Sequence, residues 1–148
     1  MTDPIPTYFF SAVVVRDGAR FVLVHELDGT WGLPGGRLEA GETFVDAAHR
    51  EAHEEAGIEI ELEGLLGFEH SPMDGWSRMG AAFVARPVDH AAALKSVPDD
   101  QTQGASWYAL DDLERIPLRS ARVSRLVRRA FEDGVLVPLD RVESALDQ

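Results

Sequence analysis

Residues 36–58 of the chain read GRLEAGETFVDAAHREAHEEAGI. Thr43 is a good N-cap for a helix, and Asp46, three residues later, completes a variant of the capping box. Gly57 stands where a C′ glycine ends a helix. The sequence therefore predicts a helix over residues 44–56.

The predicted helix carries an acidic face beside an apolar one. At about 100° per residue, Glu51, Glu54 and Glu55 fall within one narrow sector. Such like charges repel and destabilise an isolated helix by roughly 0.2–0.5 kcal/mol per pair. A solvated acidic face is the commoner explanation of this spacing alone, but a hard divalent cation such as Mg²⁺ or Mn²⁺ would relieve the repulsion and bind phosphate oxygens on its open side. The apolar stripe consists of Val45, Ala48, Ala52 and Ala56.

The fixed positions of this stretch resemble the Nudix box. They are Gly36, Glu42, Arg50, Glu51, Glu54, Glu55, Gly57 and the apolar Ile58. The preceding WGLPGG at 31–36 also looks like the usual approach to that box, so the specific match covers about 28 of the 148 residues. Ala52 is smaller than the aliphatic residue that the pattern often has.

The resemblance implies a divalent-metal-dependent hydrolase that cleaves a phosphoanhydride bond in a nucleoside diphosphate linked to another moiety, such as a nucleoside triphosphate or ADP-ribose. Glu42 and Arg50 look like the family's buried pair that orients the box, and the base is most often at the position of Glu51 or Glu55. The residues with an implied catalytic role are Glu42, Arg50, Glu51, Glu54 and Glu55. The implied ligands of Mg²⁺ or Mn²⁺ are the Gly35 carbonyl, Glu51, Glu54 and Glu55.

One position departs from the family pattern. Many Nudix hydrolases carry a further glutamate shortly before the last strand, as base or extra metal ligand. This chain has Gln101 and Gln103 there, with Asp99 and Asp100 just upstream. Because glutamine cannot take a proton at working pH, the base comes either from these aspartates or from the helix, and we favour the helix.

Other side chains have two interpretations each. Trp76 lies in a loop predicted over residues 69–78 and would either stack on a base of the substrate or be buried against the sheet. His49 and His53 fit a zinc spacing, but their sector is nearly opposite the carboxylates. The arginines of the last predicted helix are read as a solvated face, with phosphate contact as the alternative; they are Arg122, Arg125, Arg128 and Arg129.

The remaining elements indicate the fold class. Two apolar runs around Asp17-Gly18 predict a hairpin with a type I′ turn. Further strands are predicted over 58–62, 65–68, 79–86 and 105–110, with a bulge at Gly64, and a final helix from Ser120 to Gly134. Its apolar face is Val123, Leu126, Val127, Ala130 and Phe131. This order predicts an α+β protein, similar to the Nudix α/β/α sandwich with a mixed β-sheet between helices.

Composition limits the classes of partner. A chain of 148 residues with 45% apolar residues is predicted to be a single domain, residues 1–148, with 135–148 as a loosely held tail. A net charge of −12 disfavours binding to nucleic acid or an anionic membrane. There is no cysteine, no signal-like start and no run of 18 apolar residues, so we expect a cytoplasmic protein. Its partner is predicted to be a small nucleotide-type substrate, and its state a monomer or homodimer.

Two other functions remain to be compared with hydrolysis. A non-catalytic Nudix sensor of nucleotide metabolites usually loses carboxylates of the box, and none is lost here. The isopentenyl-diphosphate isomerase branch of the fold uses a catalytic cysteine, which this chain lacks.

Overall fold

The structure, a computed structural model, describes residues 3–132 and 136–142. Its strands are β1 Thr7–Asp17, β2 Arg20–Glu26, β3 Trp31–Gly32, β4 Gly35–Arg37, β5 Ile60–Pro72, β6 Ser77–Pro87 and β7 Thr102–Ala109. Its α-helices are α1 Phe44–Glu51 and α2 Ala121–Glu132. A π-helical turn, Ala52–Ala56, continues α1, and 3₁₀ turns cover Leu110–Glu114 and Leu139–Arg141.

The seven strands form one mixed sheet in which β1 and β2 each pair with three other strands. It runs parallel to β6 and antiparallel to β2 and β4. Strand β5 pairs antiparallel with β6, while β3 and β7 pair antiparallel with β2. The predicted mixed sheet is therefore confirmed.

Helices cover both faces of this sheet. Alternation along β1 sends Val13 to the face under α1, where it packs with Ala48 and Ala52. Its neighbour Val14 faces the other side and packs with Leu126 of α2. These two buried clusters, one under each helix, confirm the predicted α/β/α sandwich.

The first hairpin is confirmed, but its predicted turn type is wrong. Gly18 and Ala19 lie between the paired residues Asp17 and Arg20. Gly18 has a φ of 61°, whereas no described residue other than glycine has a positive φ. A type I′ turn needs positive φ at both central residues, so the turn is of the II′ kind, with glycine at the first position.

The predicted loop over residues 69–78 is largely strand. Strand β5 extends to Pro72, which pairs with Ser77, so only residues 73–76 connect β5 to β6. Continuous pairing with β6 overrides the polar composition of this segment, because the ladder satisfies its backbone groups. The bulge predicted at Gly64 is confirmed by a register shift between Leu62 and Gly64.

The C-terminal part of the chain lies against the sheet. Helix α2 starts directly after Ser120 and buries the predicted apolar face, apart from the partly buried Phe131. The predicted stop at Gly134 lies outside the described residues, as do the remaining parts of the expected tail, 135 and 143–148. The described part of the tail is attached, because Val137 and Leu65 exchange two backbone hydrogen bonds of 2.9 Å.

Within residues 3–132 and 136–142, no helix is both long enough and apolar enough to cross a membrane.

Candidate active site

The helix that carries the acidic face begins as the sequence predicts. The Asp46 N–H donates to Thr43 Oγ1 at 3.1 Å, and the Thr43 N–H donates to Asp46 Oδ2 at 3.0 Å, which confirms the capping box. Gly57 ends the element with a φ of 67°. Residues 52–56, however, form a π-helical turn, which the predicted regular helix does not contain. Such turns are frequent at functional sites.

Arg50 connects the loop before the helix to the acidic face. Its Nε and Nη2 donate to the two carboxylate oxygens of Glu42 at 2.7 and 2.9 Å, a bidentate pair. Its Nη1 donates to Glu51 at 2.9 Å and to Glu54 at 3.2 Å. The Arg50 and Glu42 side chains are only 19% and 15% exposed. The predicted pairing of Glu42 with Arg50 is therefore present, and the guanidinium lowers the pKa of Glu42.

Glu55 is the most perturbed carboxylate near the cavity. Burial raises its pKa to about 8, against the hydrogen bond that its Oε1 accepts from the Gly35 N–H at 2.8 Å. The negative charge of the buried Glu51 raises the pKa further. Two acidic side chains thus lie close together, and while Arg50 donates to Glu51, Glu55 accepts from a neutral backbone N–H.

Glycine is required at two adjacent positions by close packing. A Cβ at Gly36 would lie 2.5 Å from Glu51 Oε1, and a Cβ at Gly35 would lie 2.5 Å from the Ser11 carbonyl oxygen. Both glycines belong to β4, which pairs with β1. The backbone of β4 therefore lies directly against the helix carboxylates, which a larger residue would displace.

Two cavities adjoin this β4 backbone. The first, about 890 Å³, contains the acidic face and is lined mainly by Arg37, Glu39, Arg50, Glu51, Glu54, Glu55, Asp99 and Gln101. The second, about 410 Å³, lies beside Gly35 and Gly36 and is lined in part by Phe10, Trp76, Arg78, Arg119 and Arg122. The structure thus brings the predicted site residues Glu51, Glu54, Glu55 and Arg50 into one cavity, and Gly35 to its margin.

Trp76 lines the second cavity rather than the acidic one. Its ring packs edge-on against Tyr8, with centroids 5.7 Å apart, and lies 6.5 Å from Phe10. The predicted position opposite the carboxylates is wrong for His53, which lines the acidic cavity. The zinc interpretation still gains no support, because His53 Nδ1 lies 2.6 Å from Glu59 Oε1 and no group of three metal-ligating side chains is found in residues 3–132 and 136–142.

Sequence reasoning missed Glu26 at the end of β2. Burial raises the pKa of Glu26, and the negative charge of Glu26 contributes to raising the pKa of Glu55. Arg119 Nη1 lies 3.5 Å from its Oε1. The alternation Val22, Val24, Glu26 points to the face under α1, so the period of two could have placed this carboxylate near the acidic face.

Sequence reasoning also missed a cluster of charged side chains on the other side of β4. Glu69, predicted to lie in a loop, accepts hydrogen bonds from Arg122 and Arg125 of α2. Burial alone would raise the pKa of Glu69, but the hydrogen bonds and charges of these arginines have the larger effect, so the pKa is lowered. The interpretation of these arginines as a solvated face is therefore wrong for Arg122 and incomplete for Arg125.

The loop that was a candidate for the base is organised around Asp99. Its Oδ1 accepts hydrogen bonds from the N–H groups of Gln101 at 2.8 Å and Thr102 at 2.9 Å, and its other oxygen binds Lys95 Nζ. The Lys95 hydrogen bond and these N–H groups lower the pKa of Asp99 to about 2. A carboxylate with so low a pKa is a weak base, which favours a base on the helix.

We expect Asp99→Asn and Asp100→Asn each to leave kcat within about threefold of the wild-type value, less than about 1 kcal/mol of barrier. Asparagine keeps an acceptor for the loop N–H groups, so the loop should retain its shape. Steady-state kinetics of both variants provide the measurement. A loss of a hundredfold or more in either variant, with metal affinity preserved, would move the base to this loop.

The raised pKa of Glu55 predicts a pH dependence of stability without metal. Because folding raises this pKa from 4.5 to about 8, the folded protein binds more protons than the unfolded chain between these values. The free energy of unfolding should therefore fall as pH rises through this window, by up to about 5 kcal/mol. Glu55→Gln keeps an acceptor for the Gly35 N–H and should flatten this dependence. Thermal melting from pH 5 to 9 in EDTA measures it, and identical slopes for both proteins would contradict the assignment.

Known proteins and structures are similar to this chain over most of its length. The family model of the NUDIX domain matches residues 8–129. The 8-oxo-dGDP phosphatase NUDT18 of Homo sapiens is 35% identical over 84% of this chain and 39% of its own length. A MutT-like protein of Streptomyces ambofaciens is 42% identical over 76% of this chain and 70% of that protein. The solved structure of a NUDIX hydrolase from Nitrosomonas europaea has a TM-score of 0.79 and 25% identity, covering 94% of this chain and 97% of its own. The chain thus spans about two fifths of the length of its NUDT18 relative.

Proposed function

The chain belongs to the NUDIX family, and on that premise we propose that it is a divalent-metal-dependent hydrolase. It cleaves a phosphoanhydride bond in a nucleoside diphosphate linked to another moiety, such as a nucleoside triphosphate or ADP-ribose. The observation that carries this proposal is the close pair of carboxylates, Glu51 and Glu55, in the cavity beside β4. The description of NUDT18 as an 8-oxo-dGDP phosphatase supports the substrate class.

The chemistry of the donors fits Mg²⁺ or Mn²⁺. Glu51, Glu54 and Glu55 provide hard oxygen atoms on one side of the cavity, and the Gly35 carbonyl belongs to the backbone packed against them. Among residues 3–132 and 136–142 no ready-made group of three ligands is found, and Arg50 donates hydrogen bonds to Glu51 and Glu54. A bound ion would neutralise phosphate charge and lower the pKa of an attacking water.

The side chains around this site have separate roles in orienting the carboxylates, accepting a proton and holding the neighbouring loop. The Glu42–Arg50 pair fixes the orientation of Glu51 and Glu54, because one guanidinium binds all three carboxylates. A carboxylate of the helix, Glu51 or Glu55, accepts the proton of water as base. Asp99 instead holds the neighbouring loop in place through Lys95 and two backbone N–H groups.

A phosphate-release screen tests the proposal. The panel contains nucleoside di- and triphosphates, ADP-ribose and nucleoside diphosphate sugars, each with Mg²⁺, with Mn²⁺ and with EDTA; products that lack free phosphate are treated with a phosphatase. We expect release from at least one compound with metal and none in EDTA. Binding of these compounds without any hydrolysis would instead identify a nucleotide sensor.

A further inference from the structure

The second cavity has an unusual charge for this protein. The chain has a net charge of −12, yet Arg78, Arg119 and Arg122 all line a cavity of about 410 Å³. We call this space the arginine cavity. It adjoins Gly35 and Gly36, and part of its lining belongs to the buried cluster under α2, so it lies on the other side of β4 from the helix carboxylates. A molecule bound across β4 would contact both cavities.

Arg119 lies 3.5 Å from Glu26, but a single further carboxylate, Glu69, serves the other arginines of this wall. Glu69 uses one oxygen for Arg122 and the other for Arg125, the latter at 3.0 Å. Arg78 Nη1 lies 3.9 Å from Glu69, a longer contact than either. Burial and the charges of Arg122 and Arg119 lower the pKa of Arg78. Positive charge is therefore in excess on this wall, and an anion would relieve the repulsion.

Aromatic and other apolar side chains form the rest of the lining of this cavity. The Arg78 guanidinium lies over the Phe10 ring, 4.4 Å from its centroid, which holds the planar group in one orientation. Trp76 and Met73 lie on the same lining, and Trp76 is fixed by its edge-on contact with Tyr8. An oriented guanidinium is suited to a phosphate group, which it can bind through two parallel hydrogen bonds.

We propose that the arginine cavity binds an anionic group of the substrate that lies beyond the cleaved anhydride, with Arg78 and Arg122 as its specificity-determining contacts. This inference rests on the proposed function and narrows its substrate class. Nucleoside polyphosphates with a free terminal phosphate are preferred over nucleoside diphosphates linked to an uncharged sugar. The excess positive charge is the reason for this preference. An uncharged sugar would displace water from Arg78 without supplying an anionic partner for the guanidinium.

Kinetics with matched substrates test this preference. Uridine triphosphate and uridine diphosphate glucose share the nucleoside and differ in the group beyond the anhydride. For Arg78→Met we expect KM for uridine triphosphate to rise by at least ~10-fold, with kcat within about threefold. KM for uridine diphosphate glucose should stay within about twofold. Arg86→Met is the matched control on the same strand, since Arg86 is exposed and pairs with Glu61 away from the cavity; it should change neither KM.

A binding measurement separates this inference from the proposed hydrolysis. Calorimetric titration with the analogue of uridine triphosphate that carries methylene groups in place of both anhydride oxygens needs no turnover, and Arg78→Met should weaken binding by ~10-fold. This result without any hydrolysis would support the cavity and reject the enzyme. Equal effects of Arg78→Met on both substrates, no effect on either, or no binding of the analogue by the wild-type protein would overturn the inference. Should Arg78→Met fail to fold, Arg78→Lys keeps the charge, and it should raise KM selectively for uridine triphosphate but by less.

Discussion

Replacing either Glu54 or Glu55 with glutamine is expected to lower kcat by at least ~100-fold. In the proposed mechanism, each change removes one carboxylate from the face that would hold a metal ion against the phosphates, and losing an electrostatic contact of that kind has an effect of this size. Glutamine has the same shape as glutamate, so both variants should keep the fold. At position 55 it can still accept the hydrogen bond from the Gly35 N–H, and the Glu54 side chain is 54% exposed. Steady-state kinetics with saturating Mg²⁺ or Mn²⁺ provide the measurement.

Glu114→Gln is the matched control for these variants. Its side chain is exposed and lies in the 3₁₀ turn after β7, with a long contact to Arg128. It should leave kcat unchanged. Full activity in both Glu54→Gln and Glu55→Gln, or undiminished wild-type activity in EDTA, would reject the metal mechanism.

The predictions that hold depend on local chemistry or fixed spacing. Thr43, Asp46 and Gly57 define the ends of the acidic helix because capping involves residues only a few positions apart. The Glu42–Arg50 pair was inferred from resemblance to a motif rather than from geometry. The order of elements predicted an α+β protein with helices on both sides of a sheet, whereas the mixed sheet was implied by the resemblance to the Nudix fold.

The missed features depend on contacts between distant segments. Strand β5 reaches Pro72 because β6 pairs with it, and nothing in the polar stretch itself indicates that partner. Glu69 and Arg122 are 53 residues apart, so their ion pair and the adjoining cavity appear only when α2 packs on the sheet. The π-helical turn over residues 52–56 likewise leaves the sequence periodicity unchanged in a segment this short.

Arg50→Lys is expected to reduce both activity and stability. Lysine keeps the charge but replaces a planar fork by one ammonium group, which cannot bind both oxygens of Glu42 while also reaching Glu51 and Glu54. Loss of a largely buried bidentate bond should lower the free energy of unfolding by about 2 kcal/mol, or the melting temperature by roughly 5 °C for a chain of this size. The disturbed carboxylates should lower kcat by ~10-fold or more.

Melting and kinetics of the same Arg50→Lys preparation distinguish two roles for Arg50. The orienting role requires both quantities to fall together, because the same hydrogen bonds hold the loop at Glu42 and the acidic face at Glu51. Arg86→Lys is the control, since it alters an exposed pair with Glu61 and should change neither quantity by much. Unchanged melting with a reduced rate would instead make Arg50 a direct ligand of the substrate phosphates, acting in the transition state rather than through the geometry of the loop.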